Sequence, residues 1–382
     1  HLRRADPVHY CENSAYGPYW SITSYEDILA VESNHRVFSS ASKYGGVVIH
    51  DDLTMTFGSY VLEGIITMDP PRHQKQRSAV SGIVARPNLA HFERIIGERT
   101  ANVFSTLPTN QAFDWVDKIS VELTTQMLAT LLDFPFEDRH MLTRWSNIAT
   151  TEPGQGIIIS QEQRIKEFKE CLFYFTKLWR ERKQKTDGFD LVSMLSQNPA
   201  TAKMNPMNFL GNVLVLIVGG NDTTRNSMTA SLVAFQKFPE ELEKLKKNPA
   251  LLDNAISEII RWQTPIAHMR RTAMEDFELS GKTIRKGDKV VLWYVSGNRD
   301  EKIFQNADIF DIERENAGRH LGFGFGIHRC MGRGLAELQL KIYLTELLEH
   351  IDRIEILRAP TRTKSNFVHG YSSLPVRMAA SS

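Results

Sequence analysis

The sequence predicts a mainly α fold with small β-sheets, and three observations carry that expectation. Between residues 88 and 185, apolar side chains recur at three-and-four spacing with few breaks. A long helix opens near Pro206, and another follows a glycine-rich turn at 323–332. Strand-like patterns are short, confined to 19–23, 277–295 and the C-terminal tail. No repeat, low-complexity tract or linker divides the 382 residues. A single domain over 1–382 is expected, with a β-containing lobe from roughly 1–66 and 265–300 and a helical lobe from the rest.

In chain order, His1-Leu2-Arg3-Arg4 reads as a start inside a domain, so an incomplete N-terminus is expected. Tyr19 to Thr23 reads as a strand, and Ser24, with Asp27 three residues on, caps a short helix through Ala30. Residues 40–66 show no period, and a long ordered loop of that kind is expected to be functional. Met68-Asp69-Pro70-Pro71 ends the loop and starts a helix on which His73 and Arg77 share one face. Helices follow near 89–107, 117–132, 137–150 and 160–185, with breaks at Pro108, Pro135 and Glu152-Pro153-Gly154. A flexible link with an apolar tip is expected over 154–160. A helix near 189–196 precedes the long one. Asn248-Pro249 then starts a helix to Trp262, proline being favoured at the first helical position. Phe277–Leu279 and Val290–Val295 read as strands around a Ser280-Gly281 turn, and the tail near Phe367 and Tyr371 is β-like.

The formal charge of +1 gives no reason to expect nucleic acid or an acidic membrane as partner. Three cysteines, Cys11, Cys171 and Cys330, lie far apart without a C-x-x-C pair, which fits a reducing, cytoplasmic setting. The longest apolar run, 213–218, is far below the roughly 20 residues a membrane span needs, so no membrane insertion is expected.

The chemistry gathers at Phe323-Gly324-Phe325-Gly326-Ile327-His328-Arg329-Cys330-Met331-Gly332. This turn delivers one cysteine to the start of a helix marked by Leu335, Ala336, Leu338 and Ile342. A thiolate there gains from the helix's open N–H groups and the positive end of its dipole. Gly324, Gly326 and Gly332 let the backbone approach something flat. An axial cysteine for haem iron needs these features; an inert core thiol needs none of them. Phe323, Gly326, His328, Cys330 and Gly332 complete the pattern F-x-x-G-x-H-x-C-x-G, by which the chain resembles the cytochromes P-450. It has the form with His where many members carry Arg.

The resemblance implies the cytochrome P-450 fold, with haem b between the long central helix and the helix after the cysteine turn. It makes Cys330 the iron ligand and places Phe323, Gly324 and Gly332 against the haem. Gly219-Gly220-Asn221-Asp222-Thr223-Thr224 resembles the family's oxygen-binding segment. Each glycine inside a helix costs about 1 kcal/mol relative to alanine. By the resemblance, Gly219 and Gly220 let the helix pass close over the haem and leave room for dioxygen. Thr223 then hydrogen-bonds the oxygen, and Asp222 relays protons that a dry pocket otherwise lacks. Glu258 and Arg261 look like the family's Glu-x-x-Arg pair, completed by Arg314 as a structural trio that holds the cysteine loop. The family's propionate contacts match His73, Arg77, Arg271 and His328. Arg270 competes with Arg271, and strand alternation lets only one of them face the haem.

Residues 216–228, 257–271 and 287–300 resemble a bacterial branch of alkane and fatty-acid terminal hydroxylases. Arg333-Gly334 departs from that branch, which usually has Asn-Arg there, and a glycine in the first turn loosens the helix. The implied activity is a monooxygenase that hydroxylates unactivated C–H bonds with O2, at the end of linear medium-chain alkanes or fatty acids. The alternatives are the same chemistry on a bulkier terpenoid or steroid, and a non-catalytic haem sensor. The last has no use for the proton relay of Asp222 and Thr223. The pocket is expected on the loop at 46–62 and at Leu216, Gly219, Ile266, Phe367 and Val368. Electrons are expected from a [2Fe-2S] ferredoxin and an FAD-containing reductase, so NAD(P)H acts only indirectly. Arg72, Lys75, Arg319, Arg329, Arg333 and Lys341 are expected as the ferredoxin's basic docking patch. A monomer is expected.

Overall fold

The computed structural model describes residues 1–50, 56–57, 60–150, 160–185 and 190–380. Apart from Ser160, the expected link at 154–160 lies outside the described residues, as does part of the 46–62 loop.

The central helix, Pro206–Lys237, has 32 residues and so runs about 48 Å. Asn205 opens it by accepting the Asn208 N–H, and Pro206 sits where no N–H is required. His140–Thr150, Glu122–Leu132, Leu252–Gln263 and Arg333–His350 pack around it. Its first half joins Trp145, Phe168 and Phe175 in one core through Leu210, Val213, Leu214 and Ile217. Its second half joins Trp115, Phe310 and Tyr343 in another through Met228, Leu232 and Phe235. Two glycines set how closely the preceding loop lies on this helix. A Cβ on Gly64 would stand 2.7 Å from the Gly211 carbonyl oxygen, and one on Gly211 would stand 2.7 Å from the Glu63 carbonyl. Beside them the Ile65 N–H donates to Asn212 Oδ1 at 2.8 Å.

The main sheet has five strands in the order Val8–Cys11, Tyr19–Ile22, Lys289–Leu292, Met269–Ala273, Phe38–Ser39. Tyr19–Ile22 and Lys289–Leu292 are parallel and the other pairs antiparallel. A third core lies against it, with Ile22, Ile28, Val290, Leu292 and Phe304. Ser24 caps Tyr25–Ser33 through the Asp27 N–H, as its sequence indicates.

Several elements differ from expectation. The strand expected over 290–295 stops at Leu292, because the Trp293 carbonyl accepts the Gly297 N–H and Tyr294–Gly297 forms a short helix. Pro239–Lys247 is a separate helix, hidden in sequence because Glu241 and Leu245 are its only buried residues. The tail forms a three-stranded sheet from Ile354–Ile356, Pro375–Met378 and the unforeseen Ala112–Asp114. Phe367 lies outside any strand, while its neighbour Val368 bridges Ile266.

Glu258, Arg261 and Arg314 meet in the interior at 0%, 0% and 7% exposure. Arg261 Nε and Nη2 bond the Glu258 carboxylate at 2.6 and 2.7 Å, and Arg314 Nε lies 3.2 Å from both its oxygens. The two guanidinium groups also donate to carbonyls of Asn298, Ala307, Ile309, Gln305 and Asn306. Removing one partner of such a cluster leaves a buried charge uncompensated, at about 3–5 kcal/mol. Glu258→Ala should lower the unfolding free energy by that order in denaturant titrations. Lys341→Ala, from an exposed pair with Asp253, should change it by less than about 1 kcal/mol. Equal unfolding midpoints for the two variants would show that the trio does not hold the fold.

Candidate active site

The turn at 323–332 is fixed by its backbone. The Cys330 N–H donates to the Phe323 carbonyl at 2.8 Å. Gly324 and Gly326 take φ of +63° and +66°, and a Cβ on Gly326 would lie 2.2 Å from the Glu32 carbonyl oxygen. Gly326 therefore has to be glycine. Gly332 differs, with an ordinary φ of −82° as it caps Arg333–His350; a Cβ there would lie 4.0 Å from Cys330 Sγ.

Cys330 opens onto a cavity of about 650 Å³, whose wall also includes Phe323, Gly324 and Gly332. Burial pushes its thiol up from the ordinary value, and the Gly332 N–H and Arg77 only partly offset this.

The central helix forms a second wall with Gly219 and Thr223. Thr223 Oγ1 donates to the Gly219 carbonyl at 2.9 Å, so its oxygen lone pairs remain to accept from the cavity. The two glycines divide their work. A Cβ on Gly219 would meet nothing within 4 Å and would project into open space, whereas one on Gly220 would lie 2.6 Å from Leu128 Cδ2. Asp222 is not on the cavity wall. It is 0% exposed and turned toward His140–Thr150, where it pairs with Arg225 and accepts from Ser146 Oγ at 3.2 Å. Arg225 in turn donates to Asn147 Oδ1 at 3.2 Å.

A cationic corner lies beside the cysteine turn. Arg77, Arg271 and His328 line the cavity, and the His73 ring packs against that of His328, tilted by 55° with centroids 4.3 Å apart. Both ring nitrogens of His73 and Nε2 of His328 are buried without a hydrogen-bond partner. Burial, reinforced by Arg271, His73 and Arg77, pushes the His328 imidazole down to about 2. Arg77 Nη2 donates to the Arg329 carbonyl at 2.6 Å. Arg271 bonds Glu32 Oε2 at 2.8 Å, and Tyr294 Oη donates to the other oxygen of Glu32. Arg270 faces away: its guanidinium lies over Gly45 and donates to the Tyr44 and His50 carbonyls. Sequence reasoning missed Glu32 and Tyr294, because the partner of each is far along the chain and each reads alone as packing.

Of the expected pocket residues, Leu216, Gly219, Ile266 and Phe367 line the cavity, as do Val47, Val48 and His50 of the long loop. Val368 does not; it is 2% exposed behind the wall, held by its bridge to Ile266. Met127, Leu128 and Leu131 complete an apolar side that nothing in their own helix distinguishes from core. Of the six residues of the expected basic patch, three are ion-paired and three, including exposed Arg319, have no ion pair among the described residues. Arg72 pairs with Glu63, Arg333 with Glu337 and Lys341 with Asp253, while Lys75 and Arg329 are exposed.

A cysteine on one wall, an open-faced glycine on another and unpaired buried donors beside two arginines fit a flat, iron-bearing, dianionic macrocycle. The site is that of a haem-thiolate protein. The family model for cytochrome P450 matches residues 161–354. Linalool 8-monooxygenase of Pseudomonas putida is 34% identical, over 98% of this chain and 93% of its own. Methyl-branched lipid omega-hydroxylase of Mycobacterium tuberculosis (strain H37Rv) is 31% identical, over 94% and 83%. The solved structure of CYP153D17 from Sphingomonas superimposes with a TM-score of 0.91 at 45% identity, covering 99% of this chain and 94% of that one. The chain belongs to the cytochrome P450 family. It is a monooxygenase whose cofactor is haem b, with O2 as co-substrate and electrons from redox partners. No helix among the described residues is long and apolar enough to cross a membrane.

The unequal glycines give a test. Gly219→Ala should fold and load haem normally, yet weaken substrate-induced spin-state shifts by narrowing the cavity. Gly220→Ala should lower the melting temperature by displacing Leu128 and leave those shifts near wild type in the folded fraction. The reverse pattern would show that Gly220, and not Gly219, borders the ligand.

Proposed function

We propose that this chain hydroxylates the terminal carbon of linear medium-chain alkanes or fatty acids. One observation carries the reading: a single cavity joins Cys330 and Thr223 to a wall that is otherwise mostly apolar. The three sequence runs resembling terminal hydroxylases support it, as does the name of the methyl-branched lipid omega-hydroxylase.

Bound haem supplies the oxidising chemistry, by which one atom of O2 enters a C–H bond and the other leaves as water. The remaining work falls to the chain. Cys330 would ligate the iron, and Arg77, Arg271, His73 and His328 would hold the propionates. Thr223, its own O–H committed to the Gly219 carbonyl, accepts a hydrogen bond at the point of oxygen chemistry. Asp222, paired with Arg225 and accepting from Ser146, would relay protons from behind the wall. The apolar walls exclude competing water. A primary C–H bond is stronger than its secondary neighbour, so terminal attack requires that the walls present only the chain end. A [2Fe-2S] ferredoxin with an FAD-containing reductase would deliver the electrons, in the cytoplasm and to a monomer.

A bulky terpenoid is the second reading, favoured by the 34% identity to an enzyme named for linalool. Both are tested by supplying a surrogate ferredoxin, its reductase and NADH with linear alkanes and fatty acids of several lengths, and locating the new hydroxyl. Terminal products are expected; no turnover of linear chains would transfer the proposal to the bulky class. Thr223→Ala should keep haem and substrate binding while at least half of the NADH consumed appears as hydrogen peroxide. Full coupling in that variant would remove Thr223 from oxygen chemistry.

A further inference from the structure

The cavity has a third polar cluster that neither the haem nor oxygen chemistry uses. It lies where the wall reaches solvent and is built from three distant segments: Tyr16, His50 and the run Lys364-Ser365-Asn366. Lys364 is exposed; Tyr16, His50, Ser365 and Asn366 are partly so. The cluster is ordered. Asn366 Nδ2 donates to Tyr16 Oη at 2.9 Å and lies 3.4 Å from His50 Nε2. The edge of the Tyr16 ring meets the His50 ring, with centroids 4.7 Å apart. The Asn366 carbonyl is held by buried His268 Nδ1 at 3.2 Å, and Ser365 Oγ accepts the N–H groups of Phe367 and Val368. Inward from it the wall turns apolar at once, with Phe367, Ile266 and Met269.

A pocket for a hydrocarbon has no use for this cluster, whereas a pocket for an amphiphile does, since few polar groups set a ligand's direction in an apolar cleft. Among the described residues its one full charge is the positive Lys364. Lys364 makes no ion pair among the described residues. Glu32 is the one acid among the described residues of the cavity wall, and it is committed to Arg271 and Tyr294. Tyr16 Oη keeps its proton to donate while it accepts from Asn366.

We propose that this rim is a carboxylate subsite, in which Lys364 with Tyr16 takes the anionic end of a fatty acid whose methyl end lies toward Thr223. The inference rests on the linear-chain reading and narrows it: the substrate is a fatty acid in preference to an alkane. It also gives terminal attack a cause, since a chain anchored by its head and confined by the wall presents its tail to the haem.

The test is spectral titration of the haem-loaded enzyme with dodecanoate, methyl dodecanoate and dodecane, in wild type, Lys364→Ala, Lys364→Glu and Tyr16→Phe. Lys364 is exposed on a loop, so these substitutions leave the fold intact. Wild type should bind dodecanoate on the order of tenfold more tightly than the ester, the scale of a charged hydrogen bond. Lys364→Ala should erase that preference, Lys364→Glu should invert it, and Tyr16→Phe should reduce it, all with ester and alkane affinity unchanged. An acid-to-ester ratio that none of the variants moves would overturn the subsite while leaving linear substrates in place. A wild type that binds none of the three probes would overturn the linear-chain reading and the subsite together.

Discussion

Much of the molecule depends on one fully buried carboxylate. Glu258 takes four short contacts from Arg261 and Arg314 and also accepts the Asp311 N–H at 3.0 Å. Through the arginines it reaches five backbone carbonyls between residues 298 and 309, a stretch with no long helix or strand of its own. Each of these carbonyls receives a guanidinium N–H, and that of Asn306 also accepts the Ile309 N–H. The cluster replaces the missing ladder of secondary structure. It fixes the chain between residues 298 and 311, a dozen residues before the cysteine turn begins.

The turn itself is clamped at Gly326. The Glu32 carbonyl occupies the space that a side chain on Gly326 would need, and the Glu32 carboxylate holds Arg271 at the cavity wall. One residue of the short helix Tyr25–Ser33 thus couples the height of the cysteine loop to the aim of a cationic group. Arg271 is buried at 4% exposure and Glu32 at the same level. A cation so placed needs a permanent partner before any anionic ligand arrives, and Glu32 with Tyr294 provides it. Arg77, by contrast, spends its guanidinium on a main-chain carbonyl, and its charge stays uncompensated for an incoming carboxylate.

These features explain how far the sequence could be read. The long helices were legible because their buried faces repeat at helical spacing, and the cysteine turn because its glycines and cysteine form one contiguous pattern. The trio was legible because the family resemblance named its third member, Arg314, 53 residues beyond Arg261. What stayed hidden depends on partners brought together only by folding. Glu32 looks like an ordinary helix residue until Arg271 lies against it, and Asn366 looks like a turn residue until Tyr16 does. Pro239–Lys247 buries too little to show a period. Val368 was one residue off because an isolated bridge, and not a continuous strand, decides which neighbour faces the cavity.

The placement of Asp222 and Thr223 follows from helix geometry. Adjacent residues on a helix of 3.6 per turn point about 100° apart. The cavity face of this helix falls on Gly219 and Gly220 and, one turn on, on Thr223 and Thr224. Asp222 is left to the packed side, where Ser146, Asn147 and Arg225 surround it. The separation has a chemical consequence. A carboxylate on the cavity wall would bring water into an apolar chamber, whereas one behind the wall is satisfied by Arg225 and Ser146 and keeps its hydration away from the cavity. The same logic applies to Gly219 and Gly220. The first leaves empty the face that Thr223 extends, and the second lets Leu128 pack closely against the helix. A short run of the central helix therefore serves two environments, with Gly219, Gly220, Thr223 and Thr224 on the cavity and Asn221 and Asp222 behind it.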